Sequence, residues 1–303
     1  MKAAQFSQYG GPEVLQIVDL PDPHPGLGQV RIVVHAAGIS ATDPKIRKGE
    51  LNFGRALPQT TGSDVAGVVD EIGEGVTDAV VGDRVFGVSD NGAGAAQLAL
   101  LTFRAIIPES LGFIDAAGLP VALETATRAI DQLGVASEST LFINGASGGI
   151  GSTAVQLAVA RGARVIGAAS VANQNYLSLL GAEPVTYGDG MIERVRALAP
   201  GGVDAALDVP GNGVLPQLID LTGGPQNVVT LADFAGAKEH GVHFSSGFVD
   251  GPAFHSLAEV GELIQAGRFW LPVDKTFPLA DIAEAHRLSE TGRVRGRLVL
   301  VIA

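Results

Sequence analysis

The sequence contains no cysteine, which excludes disulfides and every thiolate-bound metal site. Aromatic residues are scarce at 5%, with one tryptophan and three tyrosines, so aliphatic side chains must build the core. Basic residues number 20 against 32 acidic ones, for a net charge of −12. Gripping a nucleic-acid backbone needs a basic face, and an anionic membrane surface repels the same balance, so neither partner is expected. No run approaches the roughly 20 apolar residues that span a bilayer. The opening MKAAQFSQYGGPEVLQIVDL has no apolar stretch between a basic flank and a cleavage site, so it does not read as a signal peptide. A soluble, cytoplasmic protein is expected.

What is present points to a folded chain with a large core. Hydrophobic residues make up 46% of 303 and charged residues 17%, a balance that disfavours disorder and a length that suggests two domains. Up to about residue 117 the chain reads as short strands broken by Gly and Pro. In QVRIVVHAAGIS, Val30, Ile32 and Val34 alternate with Gln29, Arg31 and Val33, the period of a strand. DVAGVVDEIGEGV and GDRVFGV read as two strands joined by a glycine-rich turn.

Beyond Ala116 the texture changes. Leu119 to Leu133 has helical spacing and stops at Gly134. Strands and helices then alternate: LFIN at 141–144, a helix from Ile150 to Arg161, ARVIGAA at 163–169, a helix from Gln174 to Leu180, and strands near Pro184–Tyr187, Asp204–Val209, Asn227–Leu231 and Val242–Phe244. Such alternation implies a parallel sheet with helices on both faces, an α/β, doubly wound Rossmann domain. A helix from Leu257 to Ala266, another through Ala285 and a closing strand GRLVLVIA follow.

The segment LFINGASGGIG carries the chemistry. Glycines at 145, 148, 149 and 151 follow a strand and open a helix. A pyrophosphate at a helix N-terminus needs such a tight turn, a backbone without Cβ atoms in the way and close helix–sheet packing. Gly145, Ala146, Ser147, Gly148, Gly149 and Ile150 are therefore expected to bind a dinucleotide. An NAD site places a carboxylate about 20 residues on, against the ribose 2′-hydroxyl. Here Gly167 to Asn173 reads GAASVAN, without an acid. Ser170, Asn173 and Tyr176 are the nearest donors for a 2′-phosphate, and NADPH is the expected cofactor.

These motifs resemble the medium-chain dehydrogenase/reductase superfamily, and within it the zinc-independent quinone oxidoreductases. YGGPEVLQI at 9–17 resembles the family's opening hairpin, and AAGISATDPKIRKGE at 36–50 its substrate loop. GSDVAGVVDEIGEGV with GDRVFG, LPVALETATRAI, INGASGGIG and GRLVL complete an end-to-end similarity. The resemblance implies a Rossmann domain (118–253) inserted in a β-rich, GroES-like catalytic domain (1–117 plus 254–303), with the active site in the cleft. It also implies a homodimer, joined through an edge strand at Val242–Gly247. Ser40 and Ser63 stand where the family's zinc enzymes have the first two metal ligands, so no metal is expected.

The resemblance puts Thr125 against the nicotinamide, although a helix-surface role would suit it too. Asp208, Val209 and Leu231 end strands where ligands collect, and Ser245 to Phe248 would flank the nicotinamide; plain strand-end turns are the competing reading. On the substrate loop, Ser40, Asp43 and Lys45 are catalytic candidates. Asp43 and Lys45 suit orienting a carbonyl or relaying a proton, and equally a surface salt bridge. Ser40-Ala41 replaces the family's Asn-Pro. Glu124 stands where an apolar residue is usual, and is expected to need a polar partner near the cofactor. His240 and His243 are expected on opposite sides of an edge strand.

Hydride transfer from NADPH to a quinone or other α,β-unsaturated carbonyl is the expected activity. An enoyl-thioester reductase is the alternative, for which Lys45, Arg47, Lys48 and Arg55 would meet a CoA phosphate. A third reading, from a different class, is a non-catalytic NADPH-binding sensor.

Overall fold

The alternating runs become strands and the Ala- and Val-rich segments become helices in a computed structural model, which describes residues 1–302. They sort into two compact units, Met1–Val121 with the chain from Leu257 onward, and Ala122–Ser256.

The first unit begins with β1 (Lys2–Phe6), β2 (Gln16–Asp19), β3 (Val30–Ile39), helix α1 (Thr42–Lys48), β4 (Gln59–Thr60), β5 (Asp64–Ile72), β6 (Arg84–Ser89) and β7 (Leu98–Ile106), then the one-turn α2 (Phe113–Ala116). A small sheet joins β2, β1 and β4. In the larger one, β3 pairs with β5 and again with β7, while β6 pairs with both β5 and β7. That circuit closes a barrel, which leaves those strands no open edge. Along β3 the expected alternation holds: Val30, Ile32 and Val34 are fully buried, with Arg31 and Val33 half-buried between them.

The chain then passes along α3 (Pro120–Gln132) into the second unit: β8 (Thr140–Asn144), α4 (Gly149–Ala160), β9 (Arg164–Ala169), α5 (Gln174–Leu179), β10 (Glu183–Thr186), α6 (Met191–Leu198), β11 (Ala205–Asp208), α7 (Leu215–Thr222), β12 (Val228–Thr230), α8 (Phe234–His240), β13 (His243–Phe244) and α9 (Gly247–Asp250). The strands are parallel and lie in the order β10-β9-β8-β11-β12-β13. Progression reverses between β8 and β11, which opens a crevice at their carboxyl ends. In β8, Leu141 and Ile143 pack with Ala126, Val155 and Leu177 of α3, α4 and α5. Phe142 points the other way, toward Val195 and Leu218 of α6 and α7. Both faces of the sheet are covered, as the continuous apolar run in β8 requires.

The chain returns to the first unit through α10 (Ser256–Gln265), β14 (Val273–Pro278), α11 (Ile282–Glu290) and β15 (Arg297–Val301). β15 pairs antiparallel with β3 and parallel with β14. The expected placement of two histidines is corrected here. His240 ends α8, and only His243 lies in the edge strand, its Nε2 3.3 Å from Asp250. Gly241, with φ of +70°, ends the helix one residue past His240.

Among the buried polar residues of the first unit, two charged clusters bear on its stability. Asp64 of β5 is ion-paired with Arg297 of β15 and accepts from the Val121 N–H at 2.7 Å; Arg297 Nε donates to the Gly118 carbonyl at 2.8 Å. Burial pushes the Asp64 carboxyl up to about 6, against the pull of Arg297. The other is the fully buried Arg47 of α1, which donates to the Gly10 carbonyl at 3.1 Å and to His286 Nδ1 at 3.2 Å, and pairs with Glu290.

Accepting at Nδ1 leaves the neutral His286 ring its proton on Nε2, which has no partner among the described residues. Burial takes His286 from 6.5 down to about 4; Arg47 pushes the same way and Asp43 opposes. Its pKa is thus lower folded than unfolded, so its contribution is complete above 6.5 and is lost as pH falls from there through 4. The loss totals about 3 kcal/mol. His286→Asn should remove it, giving a flatter stability profile between pH 6.5 and 4 in urea titrations.

Candidate nucleotide-binding site

The turn leaving β8 is built from what glycine permits. Gly145 has φ of +78°, and a Cβ there would stand 2.9 Å from Pro210 Cδ. A Cβ on Gly151 would lie 2.2 Å from the Gly145 carbonyl oxygen, so only hydrogen fits between helix and turn. The Ala146 N–H donates to the Ala168 carbonyl at 3.0 Å, tying the loop to β9. Gly148 is the N-cap of α4, at φ −76° and ψ 172°, and no side chain caps the helix. The Ser152 and Thr153 hydroxyls donate backward to the Gly148 and Gly149 carbonyls, so they leave the first N–H groups free. An uncapped, half-exposed helix start with those N–H groups suits an anion, and the cradle fits a pyrophosphate.

The loop after β9 lies beside it. Asn173 Nδ2 donates to Ser147 Oγ at 3.1 Å, joining two of the expected contacts. Gln174 Nε2 reaches the carbonyls of Ala169, Ser170 and Val185 at 3.0–3.1 Å, which fixes Ser170 at the strand end. Tyr176, by contrast, is only 5% exposed and belongs to the core that α4 and β9 share; as a surface donor it is corrected. Tyr187 is the residue sequence reasoning passed over. It follows β10 directly, is 58% exposed, and its N–H donates to the Ala169 carbonyl beside Ser170. It also lines a cavity of about 510 Å³ with Asn144, Asn212 and the first turn of α6. Its position just past a strand's carboxyl end was the available signal.

At the switch point, Asp208 is fully buried and accepts from Asn144 Nδ2 (2.9 Å), the Gly211 N–H (3.3 Å) and Thr230 Oγ1 (2.8 Å). It therefore binds the ends of β8, β11 and β12 together. Val209 and Leu231 follow those strands and are half-buried against the core, while Phe248 on α9 is 74% exposed.

Thr125 is half-buried on α3, and its hydroxyl donates to Glu124 Oε2 at 2.9 Å. Glu124 finds the partner its position demanded. Arg128 one turn on donates from Nε to Oε1 at 2.7 Å, and the pair is almost completely buried. Arg128 also donates to Ser245 Oγ, and Glu124 Oε1 accepts from the Ala253 N–H at 3.3 Å.

In the other unit, Ser40 is buried, and its N–H and Oγ both donate to Asp43 Oδ2, at 2.7 and 2.9 Å. Asp43 is buried too, whereas Lys45 is exposed. Three of the four basic residues that would meet a CoA phosphate are occupied: Arg47 internally, Lys48 with Glu290 at 3.2 Å, and Arg55 on the Asn91 carbonyl. Among the described residues no three His, Asp or Glu side chains gather as metal ligands, and no helix is long and apolar enough to cross a membrane.

Known proteins share this architecture. Residues 26–118 match the alcohol dehydrogenase GroES-like domain, and 180–300 the zinc-binding dehydrogenase domain. Quinone oxidoreductase from Rattus norvegicus is 31% identical over 100% of this chain and 98% of its own length. The solved quinone oxidoreductase of Coxiella burnetii superposes with a TM-score of 0.85 at 31% identity, covering 100% of this chain and 99% of the other. A mycobacterial protein solved in complex with NADPH gives 0.84 at 27% identity, covering 99% of this chain and 100% of that one.

Proposed function

Because the chain belongs to the quinone oxidoreductase family of the medium-chain dehydrogenase/reductase superfamily, we propose that it uses NADPH, without zinc, to reduce a quinone or another α,β-unsaturated carbonyl. The uncapped start of α4 beside Ser147, Asn173 and Ser170 carries this reading. The first N–H groups of α4 receive the pyrophosphate. Ser170, Asn173 and the exposed Tyr187 offer hydroxyl and amide donors to a 2′-phosphate, and the 167–173 segment has no acid to repel it. Thr125 and the Ser245–Phe248 segment flank the nicotinamide.

NADPH, when bound, supplies the hydride; the chain's part is to hold the reacting carbons in line and exclude competing reactions. The π-electron pair displaced as hydride adds comes to rest on the carbonyl oxygen, which takes its proton from water or a loop hydroxyl. Asp43 is committed to Ser40, so it orders the substrate loop rather than shuttling protons. The absence of cysteine and the Ser40 hydroxyl's bond to Asp43 support the zinc-free reading. The occupied Arg47, Lys48 and Arg55 weigh against a CoA thioester. In a turnover assay, quinones and simple enones should drive NADPH oxidation while crotonyl-CoA does not. Oxidation by crotonyl-CoA alone would replace the proposal with the thioester reading.

A further inference from the structure

Thr125 has one hydroxyl hydrogen, and the structure fixes where it goes. Glu124 Oε2 lies 2.9 Å from Thr125 Oγ1, and a carboxylate held by Arg128 is an acceptor only. The hydroxyl must therefore donate to Glu124. The carboxylate cannot turn away, because Arg128 Nε and the Ala253 N–H hold Oε1 at 2.7 and 3.3 Å while Arg128 Nη2 lies 3.3 Å from Oε2. Arg128 is anchored in turn on Ser245. Thr125 is half-buried whereas Glu124 and Arg128 are almost fully covered, so Thr125 is the member of the group that a ligand can reach. What it presents outward is a lone pair.

We infer that Glu124 is a positioning residue that sets the polarity of Thr125, making it a hydrogen-bond acceptor for the carboxamide N–H of the nicotinamide and not a donor to the carboxamide oxygen. This rests on the reading that Thr125 meets the nicotinamide. It selects one of the carboxamide's two orientations, and it discriminates by chemistry: a ring substituent that lacks an N–H cannot satisfy Thr125. Glu124 and Arg128 thus couple a residue on α3 to the Ser245 segment after β13, through a buried ion pair that an apolar residue at 124 would not provide.

The test compares dissociation constants for NADP+ and its 3-acetylpyridine analogue, in which a methyl ketone replaces the carboxamide, with 2′,5′-ADP as a probe that lacks the nicotinamide. The unaltered protein should prefer NADP+ by about five- to tenfold, the worth of one hydrogen bond. Thr125→Val should bring the ratio close to one. Glu124→Gln should do so too, or reverse it. Its oxygen stays with Arg128 and its amide then donates to Thr125, which frees the hydroxyl to turn outward as a donor. Affinity for 2′,5′-ADP should be the same in all three proteins. An unchanged ratio in either variant, with 2′,5′-ADP still bound, would overturn the inference and leave the cofactor reading standing. Binding of 2′,5′-ADP without any gain from the nicotinamide in the unaltered protein would overturn the placement of Thr125 itself, and the inference with it.

Discussion

Gly148→Asp is expected to abolish nucleotide binding while leaving the protein as stable as before, or slightly more so. Gly148 sits at the N-cap of α4 with extended backbone angles that any residue adopts, and the nearest atom a Cβ would meet is 3.9 Å away. Aspartate is among the best N-cap residues and outperforms glycine by a few tenths of a kcal/mol. Its carboxylate, however, accepts from the same N–H groups that a pyrophosphate needs and places a like charge against it. Two unit charges about 4 Å apart at a protein surface repel by about 4 kcal/mol, so affinity for NADPH should fall by at least about a hundredfold. Fluorescence titration measures the affinity and a thermal scan the stability. Unimpaired binding would mean that the start of α4 is not where the pyrophosphate sits.

Arg297→Leu should have the largest effect on stability. It leaves Asp64, 1% exposed, without its cation, and breaking such a pair costs about 3–5 kcal/mol. At pH 8 the melting temperature of the first unit should drop by about 10 °C. The pH dependence follows from the carboxyl, already raised to about 6 in the intact pair. A raised carboxyl favours the folded state at low pH, and that contribution is lost as pH rises through its folded pKa. Without Arg297 the value rises further, so at pH 5 Asp64 is neutral and the deficit should shrink. Adding Asp64→Asn should recover part of the loss at pH 8, since the amide oxygen still accepts from Val121. A deficit that is the same at pH 5 and pH 8 would show that lost packing, not an uncompensated charge, is responsible.

The alternation along β3 and the order of strands and helices from β8 to β13 were legible in the sequence, because local periodicity and glycine punctuation specify them. The glycine loop was legible for the same reason: its requirements are met within a dozen residues. Glu124 was recognised as out of place, and its partner Arg128 lies at the helical i+4 spacing, which is readable in principle. The pairing of Asp64 with Arg297 was not, since the two are 233 positions apart and meet because β5 and β15 both pair with β3. Tyr176 was misjudged because its chemistry was weighed without its face; Leu180, four residues on, is buried on the same side. β14 was not assigned, as its residues are mostly exposed and it ends on a proline.

The most direct test of the account is a fluorescence titration of the purified protein with NADPH and NADH, followed by 9,10-phenanthrenequinone while the nicotinamide absorbance is recorded. Preferential binding of NADPH and its oxidation on adding the quinone are the predicted results. Binding of neither nucleotide would contradict the reading of the glycine loop, and tight NADPH binding without oxidation by any quinone or enone would contradict the proposed reaction.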